Sequence, residues 1–134
     1  MSPEELLAKA LECRAKAYAP YSRFQVGAAL ETRSGKMFTG CNVENLSFGL
    51  TICAERNAVF AAVAAGEREF ARIVIVADSR EPVTPCGACR QVLAEFSLEM
   101  EVRSVNLEGR EYIACLDELL PRAKAGILDM PSST

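Results

Sequence analysis

The stretch CAERNAVFAAVAAGEREFARIVIVA, running from Cys53 to Ala77, decides the fold. Its first half interleaves alanines with Val59, Phe60 and Val63 and stops at Gly66, which reads as an apolar helix over Cys53 to Ala65. Its second half, Arg72 to Ala77, is a short β-branched run of the kind buried in the middle of a sheet. A loop containing Pro82 and Pro85 follows, then a second helix from about Cys86 to Phe96. Helix, buried strand and helix in succession imply two helical crossovers.

Working outward, Ser2, Pro3 and Glu5 form a capping box ahead of Leu6, Leu7, Ala10, Leu11 and Cys13 at helical spacing. That helix is expected to end near Tyr18-Ala19-Pro20, because proline disfavours helical geometry in the residue before it. Phe24 to Thr32 and Met37 to Asn42 read as a hairpin around Ser34-Gly35, with Asn45 to Gly49 as a connecting loop. Val102 to Val105 and Tyr112 to Ala114 are two further strands around a turn at Glu108-Gly109. The order α-β-β-α-β-α-β-β predicts an α/β fold, a three-layer α/β/α sandwich with a mixed five-stranded sheet, with residues 1–134 as one domain. A helix as apolar as 53–65 must be buried all round. Its small residues would let a second helix approach closely, so it serves either as a contact between copies of the chain or as the central helix of a monomer.

Composition narrows the chemistry. The 134 residues contain no histidine, which excludes Ser-His and Cys-His nucleophile pairs and two-histidine metal sites. Fifteen basic against eighteen acidic side chains give a net charge of -3 with no basic run, which argues against a nucleic-acid partner. No apolar stretch approaches the roughly 20 residues of a membrane span. The opening Met1-Ser2-Pro3-Glu4-Glu5 lacks a basic start and an apolar signal region, so a cytoplasmic location is expected. There, the six cysteines would bind metal or do chemistry instead of pairing as disulfides.

Pro85-Cys86-Gly87-Ala88-Cys89 sets two thiols where a loop enters a helix, and Thr51-Ile52-Cys53-Ala54-Glu55 sets a third at the start of another. Helix N-termini stabilise thiolates, the form that ligates metal. Three such sulfurs fit a catalytic zinc site with its fourth position left for water, whereas a structural zinc needs a fourth ligand from Cys13, Cys41 or Cys115. A lone Cys-x-x-Cys also suits a redox dithiol, but that reading leaves Cys53 and Glu55 without a role. Residues two apart do not share a helix face, so Cys53 belongs at the cap and Glu55 inside the helix.

Cys53-Ala54-Glu55 with Pro85-Cys86-Gly87-Ala88-Cys89 resembles the small, homotetrameric, zinc-dependent cytidine deaminases of free nucleosides. The general zinc-deaminase signature is a ligand two residues before a catalytic Glu, then Pro-Cys-x-x-Cys. The likeness runs from about Tyr18 to Pro121. It includes Tyr18-Ala19-Pro20-Tyr21-Ser22-Arg23-Phe24, Val26-Gly27-Ala28-Ala29, Gly40-Cys41-Asn42-Val43-Glu44-Asn45, Cys53-Ala54-Glu55-Arg56 and Cys89-Arg90-Gln91-Val92. The resemblance implies a cytidine deaminase-like fold and hydrolysis of cytidine and 2′-deoxycytidine to uridine and 2′-deoxyuridine with loss of ammonia, a step of pyrimidine salvage. Cys53, Cys86 and Cys89 would hold Zn2+, and Glu55 would shuttle protons. Arg56 would offset the net negative charge of three thiolates on a divalent ion. Asn42 and Glu44 would bind the ribose hydroxyls, Phe24 would pack on the base and the Ala54 backbone would meet the pyrimidine edge. A deaminase of a bulkier cytosine nucleoside, such as blasticidin S, is the alternative within the superfamily.

The chain departs from that pattern in residues 122–134. Relatives of this kind usually follow Leu-Leu-Pro with a phenylalanine that reaches into a neighbouring subunit's site and stacks on cytosine. Here the order is Leu119-Leu120-Pro121-Arg122-Ala123-Lys124, which puts Lys124 where the ring belongs unless Ile127 or Leu128 replaces it.

Overall fold

The computed structural model describes residues 1–125. In chain order the elements are α1 (Pro3–Arg14), β1 (Val26–Thr32), β2 (Met37–Cys41), a 3₁₀ turn at Phe48–Leu50, α2 (Ala54–Ala64), β3 (Phe70–Ala77), α3 (Gly87–Phe96), β4 (Glu101–Asn106), β5 (Glu111–Cys115) and α4 (Leu116–Leu119). The five strands form one sheet in the order β2-β1-β3-β4-β5. Only β3 and β4 run parallel; the other pairs are antiparallel. This is the mixed five-stranded sheet expected from the helix–strand–helix stretch.

Period-two alternation divides the strand residues between two cores. Ala29, Val74, Val76 and Val105 pack with Leu6 and Ala10 of α1 on one face. Ala28, Leu30, Ile73, Ile75 and Val102 pack on the other face with Ala54, Ala58, Val59 and Ala62 of α2, Leu93 and Ala94 of α3, and Leu116 of α4. Three layers result, with α1 alone on one side. Two glycines permit the close contacts. A Cβ at Gly27 would lie 2.1 Å from the Ala10 carbonyl oxygen of α1, and one at Gly40 would lie 2.4 Å from both the Ala54 oxygen and the Ala58 nitrogen of α2. Both are backbone atoms with no side-chain freedom to yield, so each position accepts only hydrogen.

Two boundaries differ from the expectation for the same reason. The first helix ends at Arg14 instead of near Tyr18, because Tyr18 leaves helical geometry to pair with the strand extension beyond β2. Its N–H donates to the Asn42 carbonyl (3.0 Å), and its carbonyl accepts from Glu44 (2.8 Å). Likewise β1 begins at Val26, not Phe24, because the Phe24 N–H and C=O are taken by side chains of Ser22 and Asn42. Helix α2 is not buried all round: Ala54, Glu55, Ala58, Val59 and Ala62 face inward, whereas Phe60 and Val63 are exposed. One chain has a sheet for one side of this helix and no layer for the other.

Candidate active site

β2 and β3 both run antiparallel to β1 and hence in the same direction, so the helices that follow them begin at one edge of the sheet. Those helices are α2 and α3. Their N-caps are Cys53 and Cys86, each in extended conformation with ψ of 158° and 171°, and Cys89 lies in the first turn of α3. Crossover topology thus converges three thiols from two distant segments at the positive ends of two helices.

The Cys53 and Cys86 sulfurs are 3.9 Å apart, Cys86 and Cys89 3.5 Å, and all three lie within 4.8 Å of one another. Sulfurs bound at about 2.3 Å around a tetrahedral zinc stand about 3.8 Å apart, so the observed spacing suits that ion. Among the described residues no fourth cysteine or carboxylate joins the group. Cys13 lies against Cys41 instead, and Cys115 caps α4 with its thiol towards the Leu98 carbonyl. That leaves three protein donors, the number of a catalytic and not a structural zinc site.

Electrostatics favours ionised sulfur at Cys53. Hydrogen bonding from Cys89 pulls the Cys53 thiol down to about 5 against the cost of burial, helped by the Arg56 guanidinium, whose Nη2 donates to Cys53 Sγ at 3.4 Å. Cys89 is pushed the other way by the same hydrogen bond, by burial and by the Glu55 charge. One thiolate held by a neighbouring thiol and an arginine is a site ready to exchange its remaining protons for a cation. Glu55 is 5% exposed. Burial pushes its carboxyl up to about 7; a hydrogen bond from its own backbone and the Arg56 charge oppose the rise, and the Cys53 charge reinforces it. A carboxyl poised near neutrality is suited to giving and taking protons.

The remaining predicted residues gather beside the thiols through a small ladder. Val43 bridges Tyr18 on one side and Ile52 on the other, which draws the 18–24 loop, the end of β2 and the start of α2 together. Asn42 is buried and braced: its Nδ2 donates to the Phe24 carbonyl (2.8 Å), and its Oδ1 accepts from Val26 N–H (2.9 Å). Glu44 accepts from the Tyr21 and Ser22 amides at 3.0 and 3.1 Å and from the Ser22 hydroxyl, bonds that hold its carboxyl below the usual range. Phe24 is partly exposed on this rim, and Ala54 is buried in the first turn of α2.

Sequence reasoning missed Arg90. Its guanidinium donates to the Pro85 carbonyl (2.7 Å), the Leu119 carbonyl (2.8 Å) and Thr84 Oγ1 (3.1 Å), pinning the loop that delivers Cys86. An arginine directly after Cys-x-x-Cys was the available signal, but its partners are carbonyls that no side-chain pattern reveals.

An α/β/α domain that gathers three thiols and a buried glutamate at two helix N-termini defines the zinc hydrolases that deaminate nucleobases. Comparison with known proteins gives the same class. A family described as the cytidine and deoxycytidylate deaminase zinc-binding region matches residues 1–104. The chain is 48% identical over 124 residues to a cytidine deaminase of Halalkalibacterium halodurans, covering 92% of this chain and 94% of the relative. It is 47% identical over 126 residues to one of Mycobacterium tuberculosis, covering 94% and 91%. The crystal structure of cytidine deaminase from Burkholderia pseudomallei superposes with a TM-score of 0.88 at 51% identity, covering 90% of this chain and 98% of that one. The chain belongs to the cytidine and deoxycytidylate deaminase zinc-binding family and is a zinc-dependent hydrolytic deaminase.

Proposed function

We propose that this chain hydrolyses cytidine and 2′-deoxycytidine to the corresponding uridines, with ammonia as the second product. The observation that carries the reading is the buried Glu55 beside three clustered thiols, with Asn42, Glu44 and Phe24 on the adjoining rim. Cys53, Cys86 and Cys89 would hold zinc, which supplies a Lewis acid that makes water nucleophilic at neutral pH. Glu55 accepts one proton from water as oxygen adds to C4 of the base and passes it to N3. It then takes the second proton from the new C4 hydroxyl and passes it to the amino nitrogen, so that the C4–N bond breaks as the C4 carbonyl forms and ammonia leaves. Its environment suits both duties, since a carboxyl near neutrality is neither always charged nor always protonated. Arg56 lends its positive charge to the Cys53 sulfur and so eases the accumulation of thiolate charge. Asn42 and Glu44 are the partners for ribose hydroxyls, and a carboxylate at Glu44 disfavours a phosphate. The test is the fall in cytidine absorbance on conversion to uridine, with about one zinc per chain in the purified protein. Metal-free protein with a reversibly oxidised Cys86/Cys89 pair and no deamination would replace this reading with the redox one.

A homotetramer fits the exposed apolar side chains. Phe60 and Val63 on the outer face of α2, and Leu46, Phe48 and Leu50 in the segment before it, are exposed apolar side chains that a neighbouring subunit would cover. Six free cysteines suit a reducing, cytoplasmic setting. No helix among the described residues is long and apolar enough to cross a membrane.

Lys124 motivates the second reading, a deaminase that admits modified cytosines. Its ammonium lies 3.4 Å from the Glu95 carbonyl and 3.9 Å from the Glu95 carboxylate, at the end of α3 opposite the thiols. Ile127 and Leu128 lie outside the described residues. With lysine where relatives carry a stacking ring, half of the base clamp is missing. Base–aromatic stacking is worth about 1–3 kcal/mol, so Lys124→Phe is expected to lower KM for cytidine several-fold. Unchanged KM together with tight binding of cytidine by the wild type would show that the clamp comes from elsewhere.

A further inference from the structure

We propose that Ser22 is a positioning residue for sugar recognition, acting through Glu44; the proposal rests on the reading of Glu44 as a ribose-binding carboxylate. The Ser22 hydroxyl works in two directions. It donates to Glu44 Oε2 and accepts the Phe24 N–H at 3.0 Å, so one oxygen joins the carboxylate that meets the sugar to the backbone of the ring that meets the base. The Ser22 and Tyr21 amides hold the other oxygen, Glu44 Oε1, at 3.1 and 3.0 Å. Three donors from one tight turn therefore fix the orientation of a carboxylate that is otherwise free to rotate at the surface.

The turn also sets Tyr21 edge-on against Phe48, but three of its donors converge on Glu44. Arg23 sits at φ 61°, in the left-handed region that a side chain disfavours. Strained backbone persists where surrounding contacts over-determine it, and here the amides on either side of Arg23 are both engaged, Ser22 N–H by Glu44 and Phe24 N–H by the Ser22 hydroxyl. Asn42 completes the frame by donating to Phe24 C=O and accepting from Val26 N–H. Deleting the hydroxyl leaves Asn42, and with it the Phe24 backbone, in place but frees Glu44 to rotate. Glu44 retains acceptor capacity for a ribose hydroxyl, because an ionised carboxylate has about four acceptor sites and three are taken here.

The test compares cytidine with 2′,3′-dideoxycytidine, which lacks the 2′ and 3′ hydroxyls, in wild type, Ser22→Ala, Ser22→Thr, Glu44→Gln and the Ser22→Ala/Glu44→Gln double variant. Ser22→Ala is expected to lose about tenfold in kcat/KM for cytidine, mainly through KM, and under about twofold for the dideoxynucleoside. Ser22→Thr, which keeps the hydroxyl, restores most of the loss. The double variant is no worse than Glu44→Gln alone. Equal losses on both substrates, or additive losses in the double variant, would overturn the proposal by showing that Ser22 merely stabilises the turn. If Glu44→Gln leaves the preference for the intact sugar unchanged, the ribose reading of Glu44 fails and takes the Ser22 inference with it, whether or not cytidine is still deaminated.

Discussion

Glu55→Gln is expected to lower kcat for cytidine by about 10²- to 10⁴-fold or more, because a general acid–base group is typically worth that much and this one serves several proton transfers. Zinc content and fold should survive, since Glu55 is not among the three clustered sulfurs. The same substitution has a thermodynamic signature in the zinc-free protein. Burial lifts the carboxyl from 4.5 to about 7, so between those values the unfolded chain releases a proton that the folded chain keeps. The unfolded state then binds fewer protons, and stability falls as pH rises through that window. Glutamine does not titrate. In chelator-treated protein, Glu55→Gln should therefore gain on wild type from pH 4.5 upward and level off above about 7, with an advantage on the order of 3 kcal/mol from the shift of about 2.5 units. Denaturant titrations across pH measure it. Near-wild-type turnover would remove Glu55 from the chemistry, and a pH-independent stability difference would show that its carboxyl is not desolvated.

Replacing any one of Cys53, Cys86 or Cys89 by alanine should reduce zinc from about one per chain to background and abolish deamination. Three protein donors hold a catalytic zinc, and two leave the ion too weakly bound to survive gel filtration. The thermal midpoint should fall as well, because metal bound only by the folded state contributes its binding free energy to stability. Cys13→Ala is the contrast. Its thiol lies against Cys41, away from the cluster, so metal content should be unchanged. Metal analysis of the four variants decides the matter: if Cys13 proves as necessary as Cys89, the site has four thiolates and is structural.

The course of the chain was legible in the sequence wherever a local rule sufficed. The N-cap at Ser2, the β-branched run of β3, the breaks at Gly66 and Pro85 and the alternation of apolar residues depend on neighbours a few positions away, and they yielded the layers and the strand count. Of the expected capping box the structure forms only the Ser2 half, the Glu5 carboxylate taking the Ser2 hydroxyl instead of its backbone N–H. The cysteine spacing located the metal donors for a similar reason: a helix start is a local event, and Cys53 and Cys86 are both N-caps. The role of Glu55 came with the resemblance that Cys53-Ala54-Glu55 carries, and the spacing only placed it inside the helix that Cys53 caps.

Tertiary structure alone decided where those pieces meet. That Cys53 lies 3.9 Å from Cys86 depends on β2 and β3 running the same way on either side of β1, a relation between strands far apart in sequence. The early end of α1 depends on the Tyr18–Val43 bridge, which outweighs a helical preference in Ala15 to Ala17 by satisfying backbone groups of both segments. The open side of α2 could not be read from its composition, because apolar residues state what a helix would bury and not what is present to cover it. Arg90 and Ser22 were silent for the same reason: each acts on backbone atoms or on a side chain brought up by the fold, and sequence records neither.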